Sequence, residues 1–252
     1  MRTRQTILLL TILAACSVGR VIGQSSYSNA AFEDGYRLIE IGKALKAMPE
    51  SGKRAEDFVP PHWKVFARAD GDLNHTGVND TVLVLQLDKD DKSYVATIPA
   101  GKDIDVWRRA AFMIVVLVDK PSKRLEIEGV NYAIGELPDG PRNQLNVEIK
   151  NGVLSIFSST GGTLRFEETY RFRFEPATDG FLTLVGYDYD EYSVANEPER
   201  EHYKLSENYL TGQRIESTTK YDKRGNEIGG IPKSSTMRSG RIDFSEAKPH
   251  PH

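Results

Sequence analysis

The segment Ala111–Val118, with the sequence AFMIVVLV, restricts the fold of this chain more than any other feature. Its eight apolar residues lie between Arg109 and Asp119, which is too short for a buried helix and suits a strand. A second run, Thr81–Leu87, is rich in β-branched residues and predicts another buried strand. We therefore expect a sheet with Ala111–Val118 as its central strand.

Alternating polar and apolar residues predict further antiparallel strands. In Tyr170–Phe174 the aromatic residues face one side of a strand, and Arg171 and Arg173 face the other. Asn151-Gly152, between NVEIK and VLSIF, is a strong signal for a β-hairpin. The remaining predictions are strands at Trp63–Ala69, Leu145–Ile149, Val153–Phe157, Leu164–Phe166, Phe181–Tyr187 and Arg241–Phe244, and a solvated loop or short helix at Glu197–Glu201.

A helix precedes the strands in this interpretation, because apolar residues recur at helical spacing from Ala31 to Met48. The predicted fold class is therefore α+β and β-rich: a single domain with an N-terminal helix packed on antiparallel sheet. A chain of 252 residues has room for one such core. The predicted organisation is a signal peptide at 1–15, a tether at 16–30, the domain at 31–221, and a polar, partly disordered C-terminal extension at 222–252.

The first residues predict export. Arg2 and Arg4 precede an uncharged stretch of about ten residues, half the length of a membrane-spanning helix and typical of a signal peptide. The stretch ends in Leu13-Ala-Ala-Cys16, which resembles the bacterial lipobox; this implies a lipid anchor on Cys16 in the outer membrane or periplasm. The alternative is a plain signal peptide, cleaved after Cys16 or Gly23, and a soluble secreted protein. Because Cys16 is the one cysteine, an intramolecular disulfide is excluded.

A polar loop between two predicted strands is the best candidate for a metal site. Oxygen-bearing side chains at alternate positions and a glycine at the sixth position allow the chain to wrap a hard cation such as calcium. The alternative is a metal-free turn in which the same side chains hydrogen-bond the backbone. The candidate ligands are Asp72, Asn74, Thr76, Asp80 and the carbonyl of Val78.

The loop belongs to a longer resemblance. The run from Phe58 to Gln86 resembles the opening of uncharacterised bacterial exported proteins, often lipoproteins, with a single GDLN loop of the FG-GAP/VCBS type. The segments IKNGVLSIFSSTGG, YRFRFE, FLTLVGY and NYLTG follow in the order found in that group. The resemblance implies a compact β-rich domain with one calcium-type loop, and brings no activity. Thr76 replaces the usual Asp, so affinity should fall to about the millimolar range of extracellular modules at best.

Acidic and aromatic residues are concentrated near the end of the strand that begins at Phe181. Such a region can serve a hydrolase, or it can bind a sugar or a protein on an aromatic strip. The alternative is an edge strand with a solvated acidic face. The residues concerned are Tyr187, Asp188, Tyr189, Asp190, Glu191 and Tyr192.

These observations favour a non-enzymatic cell-envelope lipoprotein with a binding or structural role and a loop suited to weak calcium binding. Its expected partners are the membrane, through the lipid anchor, and an envelope protein or glycan. The net charge of −3 argues against a dedicated nucleic-acid binder. The alternatives are a secreted hydrolase or accessory carbohydrate-active protein that uses the acidic-aromatic region, and a periplasmic assembly factor or inhibitor.

Lipidation at Cys16 predicts that the chain incorporates a labelled fatty acid in growing bacteria. The Cys16→Ala variant should lose the label, since it has no other thiol, and the neighbouring Ser17→Ala variant should keep it. Label that persists in Cys16→Ala would refute the anchor.

Overall fold

The computed structural model describes residues 38–88, 112–120, 124–132, 134, 144–175, 181–195, 200–222, 224–230, 232–237, 240 and 242–248. The predicted signal peptide, Cys16 and the predicted tether lie outside the described residues. No helix in these ranges is long and apolar enough to cross a membrane.

One α-helix, thirteen strands and two short 3₁₀ helices, at Ala55–Phe58 and Phe244–Glu246, make up the regular structure of the described ranges. Helix α1 covers residues 38–47, within the predicted helical segment. The strands are β1 Ser51–Gly52, β2 Trp63–Gly71, β3 Asp80–Leu87, β4 Phe112–Lys120, β5 Arg124–Asn131, β6 Gln144–Lys150, β7 Val153–Gly161, β8 Leu164–Glu175, β9 Phe181–Ser193, β10 Arg200–Asn208, β11 Gln213–Tyr221, β12 Glu227–Gly229 and β13 Lys233–Thr236.

The strands form two antiparallel sheets. The smaller sheet has the order β1-β5-β4-β3-β2, so the strand predicted at Ala111–Val118 is central. The larger sheet has the order β12-β11-β10-β9-β8-β7-β6, and β13 also pairs with β11. The predicted fold class, β-rich α+β with antiparallel sheets and an N-terminal helix, is confirmed.

Strand β4 is buried on both faces. Ile114, Val116 and other residues on one face join a core that lies between the two sheets. Met113 and Val115 on the other face join a second core with Ile41 and further residues of α1. Each fully buried side chain of this kind contributes about 1.5–3 kcal/mol through removal of its apolar surface from water. The order of layers is therefore helix, small sheet and large sheet.

The two sheets approach one another closely at the edge strands β2 and β6. A Cβ added at Gly71 would lie 2.6 Å from Cγ2 of Ile149, so the close approach requires glycine.

The predicted Asn151-Gly152 hairpin joins β6 to β7, and both residues have the positive φ that this turn needs (52° and 74°). The hairpin prediction is confirmed.

Several strands were not predicted from the sequence. Strand β11 carries charged or polar residues at most positions, so its sequence shows no run of buried apolar residues. In β5 polar residues alternate with Leu125 and Ile127, a strand signal that the sequence analysis missed.

Of the segment Glu197–Glu201, predicted as a loop or short helix, residues 197–199 lie outside the described residues. Arg200 and Glu201 instead begin β10, where they pair with Tyr221 and Lys220 of β11.

The C-terminal region of the chain also contributes to the body of the fold. Strands β12 and β13 pair with β11, and Phe244 is buried in the core between the sheets. Arg241, the first residue of the strand predicted at Arg241–Phe244, lies outside the described residues. Over the rest of that segment the structure has a single bridge between Asp243 and Thr183 and a 3₁₀ turn at Phe244–Glu246. The buried Asn131 side chain donates hydrogen bonds to the carbonyls of Phe244 and Ala247, at 2.5 and 2.9 Å, which fastens this turn to β5.

Candidate functional site

The turn between β2 and β3 is organised by Asp72. Its carboxylate oxygens accept hydrogen bonds from the backbone amides of Thr76 and Gly77, at 3.0 and 2.8 Å. The side-chain oxygen of Asn74 accepts a second bond from the Thr76 amide at 3.2 Å. Gly77 and His75 adopt left-handed backbone conformations, with φ of 81° and 58°, which let the chain reverse within a few residues.

Asp80 closes the same turn from the protein interior. It is fully buried, and its carboxylate accepts the backbone amides of Leu73 at 2.9 Å and Asp119 at 3.0 Å. Burial raises the pKa of the Asp80 carboxyl, although the amide hydrogen bonds act in the opposite direction. Because Asp119 belongs to β4, the turn is tied to the central strand of the small sheet.

These contacts agree with the metal-free alternative for the loop. Asp72 and Asp80 are its only carboxylates among the five predicted ligands, and both are used to hold the backbone. The Thr76 and Val78 positions are exposed, whereas Asp80 is buried. In the ranges that the structure describes, no group of three or more His, Cys, Asp or Glu side chains converges as metal ligands would. Of the two alternatives we favour the metal-free turn, and calcium binding at this loop is a prediction that the structure does not test.

The acidic-aromatic segment of β9 is divided between the two faces of the large sheet. Tyr187 and Tyr189 point inward and are 1% and 4% exposed, so they belong to the core. Asp188 and Asp190 point outward. The prediction of an edge strand was wrong, since β9 lies between β8 and β10, and the sequence alone does not show which strands flank it.

The inward tyrosines are hydrogen-bonded to carboxylates of the same face. Glu168 accepts the hydroxyl groups of Tyr170 and Tyr187, at 3.0 and 2.8 Å. The Tyr189 hydroxyl donates to Glu191 at 2.9 Å. Burial, reinforced by these carboxylates, raises the pKa of Tyr187 and Tyr189, so both remain protonated donors. A sugar therefore finds no exposed stacking surface on these two rings.

The outward face carries a charged network that we call the outer strip. Asp188 accepts hydrogen bonds from Arg171 at 2.5 Å and from the Ser206 hydroxyl at 2.7 Å. Asp190 contacts the side chains of His202 and Lys204, the latter at 3.1 Å. Glu167 accepts the Tyr192 hydroxyl at 2.7 Å. The outer strip comprises Glu167, Arg171, Asp188, Asp190, Tyr192, His202, Lys204 and Ser206.

An open depression of about 450 Å³ lies over the outer strip. Its floor includes Thr169, Asp188 and Ser206, which are neighbours on β8, β9 and β10. Phe157 on β7 and Ile215 on β11 line it as apolar residues. The depression thus combines hydroxyl groups, charges and two apolar side chains on one face.

Sequence reasoning found Asp188 and Asp190 but missed the residues that neighbouring strands bring beside them. Arg171 was recognised as part of the polar face of its strand. Strand pairing places Arg171, His202 and Lys204 next to the two aspartates. The alternation in β8, which places Arg171 on the polar side of its strand, is the signal that pointed to a residue beside the two aspartates.

No family model, curated protein or solved structure matches the chain.

The hydrogen bonds of the β2–β3 turn predict that millimolar calcium leaves the melting temperature of the chain nearly unchanged. A ligand that binds the folded state raises its stability, so a calcium site would give a measurable rise. Thermal melts with and without calcium, followed by circular dichroism, test this.

A rise that Asp72→Ala abolishes would establish the calcium site and contradict the metal-free turn. The matched control is Asp222→Ala. Asp222 also organises a turn, accepting the backbone amides of Arg224 and Asn226 at 2.8 Å each, but it lies outside the predicted loop.

Proposed function

We propose that this chain is a non-enzymatic binding protein of the bacterial cell envelope, lipid-anchored at Cys16, with its ligand surface on the outer face of the large sheet. The observation that carries the proposal is the depression over the outer strip, which presents fixed polar groups between Phe157 and Ile215. Most small ligand sites in proteins are concave and carry a few placed polar groups in this way.

The internal contacts of the outer strip support a binding role. Asp188 is held by Arg171 and Ser206, and Asp190 by His202 and Lys204. Side chains that are already fixed lose little conformational freedom when a ligand arrives, which favours affinity. Because the strip lies on the middle strands of an eight-stranded sheet, its backbone geometry is fixed as well.

The export signal supports the location. A lipobox-like sequence ending in Cys16 and a small, polar segment at 16–30 would leave the domain tethered to an envelope membrane. Two or more acyl chains make such an anchor stable, because each buried methylene contributes about 0.8 kcal/mol. The proposed partners are the membrane and an envelope protein or glycan.

A second candidate, a carbohydrate-active hydrolase, has one specific observation in its favour. Glu167 and Asp190 lie directly opposite one another on β8 and β9. Residues paired in this way project their side chains from the same face of the sheet. Both carboxyl groups can therefore face one ligand, as the two carboxylates of a glycosidase do. Product analysis after incubation with oligosaccharides separates this candidate from pure binding.

Photo-crosslinking in intact cells tests the proposed ligand surface. A benzophenone amino acid placed at Ile215, which is 39% exposed and lines the depression, should capture an envelope component as an adduct of higher mass. The same residue placed at Val65, which is 41% exposed on β2 of the small sheet, should give no such adduct. Equal adducts at both positions, or none at Ile215, would overturn the proposal.

A further inference from the structure

Strand register aligns five side chains in one row across the outer face. Phe157 on β7, Thr169 on β8, Asp188 on β9, Ser206 on β10 and Ile215 on β11 are successive partners. Neighbouring strands lie about 4.8 Å apart, so the row spans roughly 19 Å. This length suits an extended ligand of several units that crosses the strands.

The row and its neighbours offer the chemistry that hydroxyl-rich ligands require. Carboxylate oxygens on Asp188 and Asp190 accept hydrogen bonds, Lys204 donates, and the hydroxyls of Thr169 and Ser206 do both. Sugar hydroxyl groups are likewise both donors and acceptors. The apolar side chains Phe157 and Ile215 lie at the two ends of the row. There they would pack against the non-polar C–H faces of sugar rings.

The same face disfavours other extended ligands. A peptide that adds a strand needs a free sheet edge, but β8, β9 and β10 are hydrogen-bonded on both sides. Arg171 and Lys204 are already paired with Asp188 and Asp190, so an anionic polymer would have to displace these aspartates to reach a cation. A cationic ligand would compete with Arg171 and Lys204, which already neutralise the two aspartates.

We infer that the ligand of this face is a neutral oligosaccharide that lies across β7–β11, from Phe157 to Ile215. The inference rests on the proposed function, since it names the ligand class of the same surface. Its sugar hydroxyls would hydrogen-bond to Asp188, Ser206 and Thr169, while the rings contact Phe157.

Calorimetric titration of the full chain, purified in detergent, tests the inference with defined probes. Chitohexaose and cellohexaose are neutral, and oligogalacturonate of the same length is anionic. We expect saturable binding of at least one neutral probe and none of the anionic one. Asp188→Asn and Phe157→Ala should each weaken the neutral probe at least tenfold.

The chain offers a close control for Asp188. Asp70 on β2 accepts hydrogen bonds from Arg68 at 2.8 Å and from the Thr81 hydroxyl at 2.7 Å, and its side chain is 38% exposed, as is that of Asp188. Asp70→Asn should therefore leave the affinity unchanged. If Asp188→Asn lowers the melting temperature, Ser206→Ala serves as a second variant, because it removes one hydroxyl and no charge.

The inference is overturned if neither neutral probe binds, or if binding survives both Asp188→Asn and Phe157→Ala. A failure of this kind with an intact Ile215 adduct in cells would refute only the ligand class. Loss of that adduct would refute the ligand surface itself. Cleavage of a bound neutral probe would keep the ligand class and replace pure binding by the hydrolase candidate.

Discussion

The burial of β4 on both faces is the constraint on which the rest of the structure depends. Its side chains alternate between a core shared with the large sheet and a core shared with α1. Such a strand cannot lie at a surface, so a layer must cover each side. Asp119 at its end donates its backbone amide to Asp80, which also fixes the β2–β3 turn. The predicted calcium-type loop is therefore part of the framework of the small sheet.

As a consequence, one face of the large sheet is buried in the core and the other is exposed. The inner face supplies Leu154, Ile156 and Phe172 to the core between the sheets. It also holds carboxylates such as Glu168 by hydrogen bonds to tyrosine hydroxyls. The outer face is free for polar residues, and its charges are arranged as mutual partners. The proposed ligand surface follows from this division, because a rigid sheet presents the outer strip with its groups already oriented.

The sequence predicted the parts of the fold that are encoded by local patterns. The central strand, the Asn151-Gly152 hairpin and the helix before the strands are local features, and the structure confirms each of them. Strand β11 was missed because its polar sequence acquires strand structure only through pairing. Strand β5 was missed although Leu125 and Ile127 alternate with charged residues in it. Only part of the candidate site was predicted from the sequence. Asp188 and Asp190 were singled out, but strand register alone brings Arg171 and His202 beside them. No local pattern specifies which strands are neighbours.

Methyl-selective NMR during titration with a neutral hexasaccharide tests the proposed ligand surface most directly. The account predicts that the methyl signals of Ile215 and Thr169, both on the depression, shift progressively and saturate. The signals of Ile114 in the core and of Ile228, which is 57% exposed on β12 away from the row, should not move. Shifts at Ile228 or elsewhere without change at Ile215 and Thr169, or no shifts at all, would contradict the account.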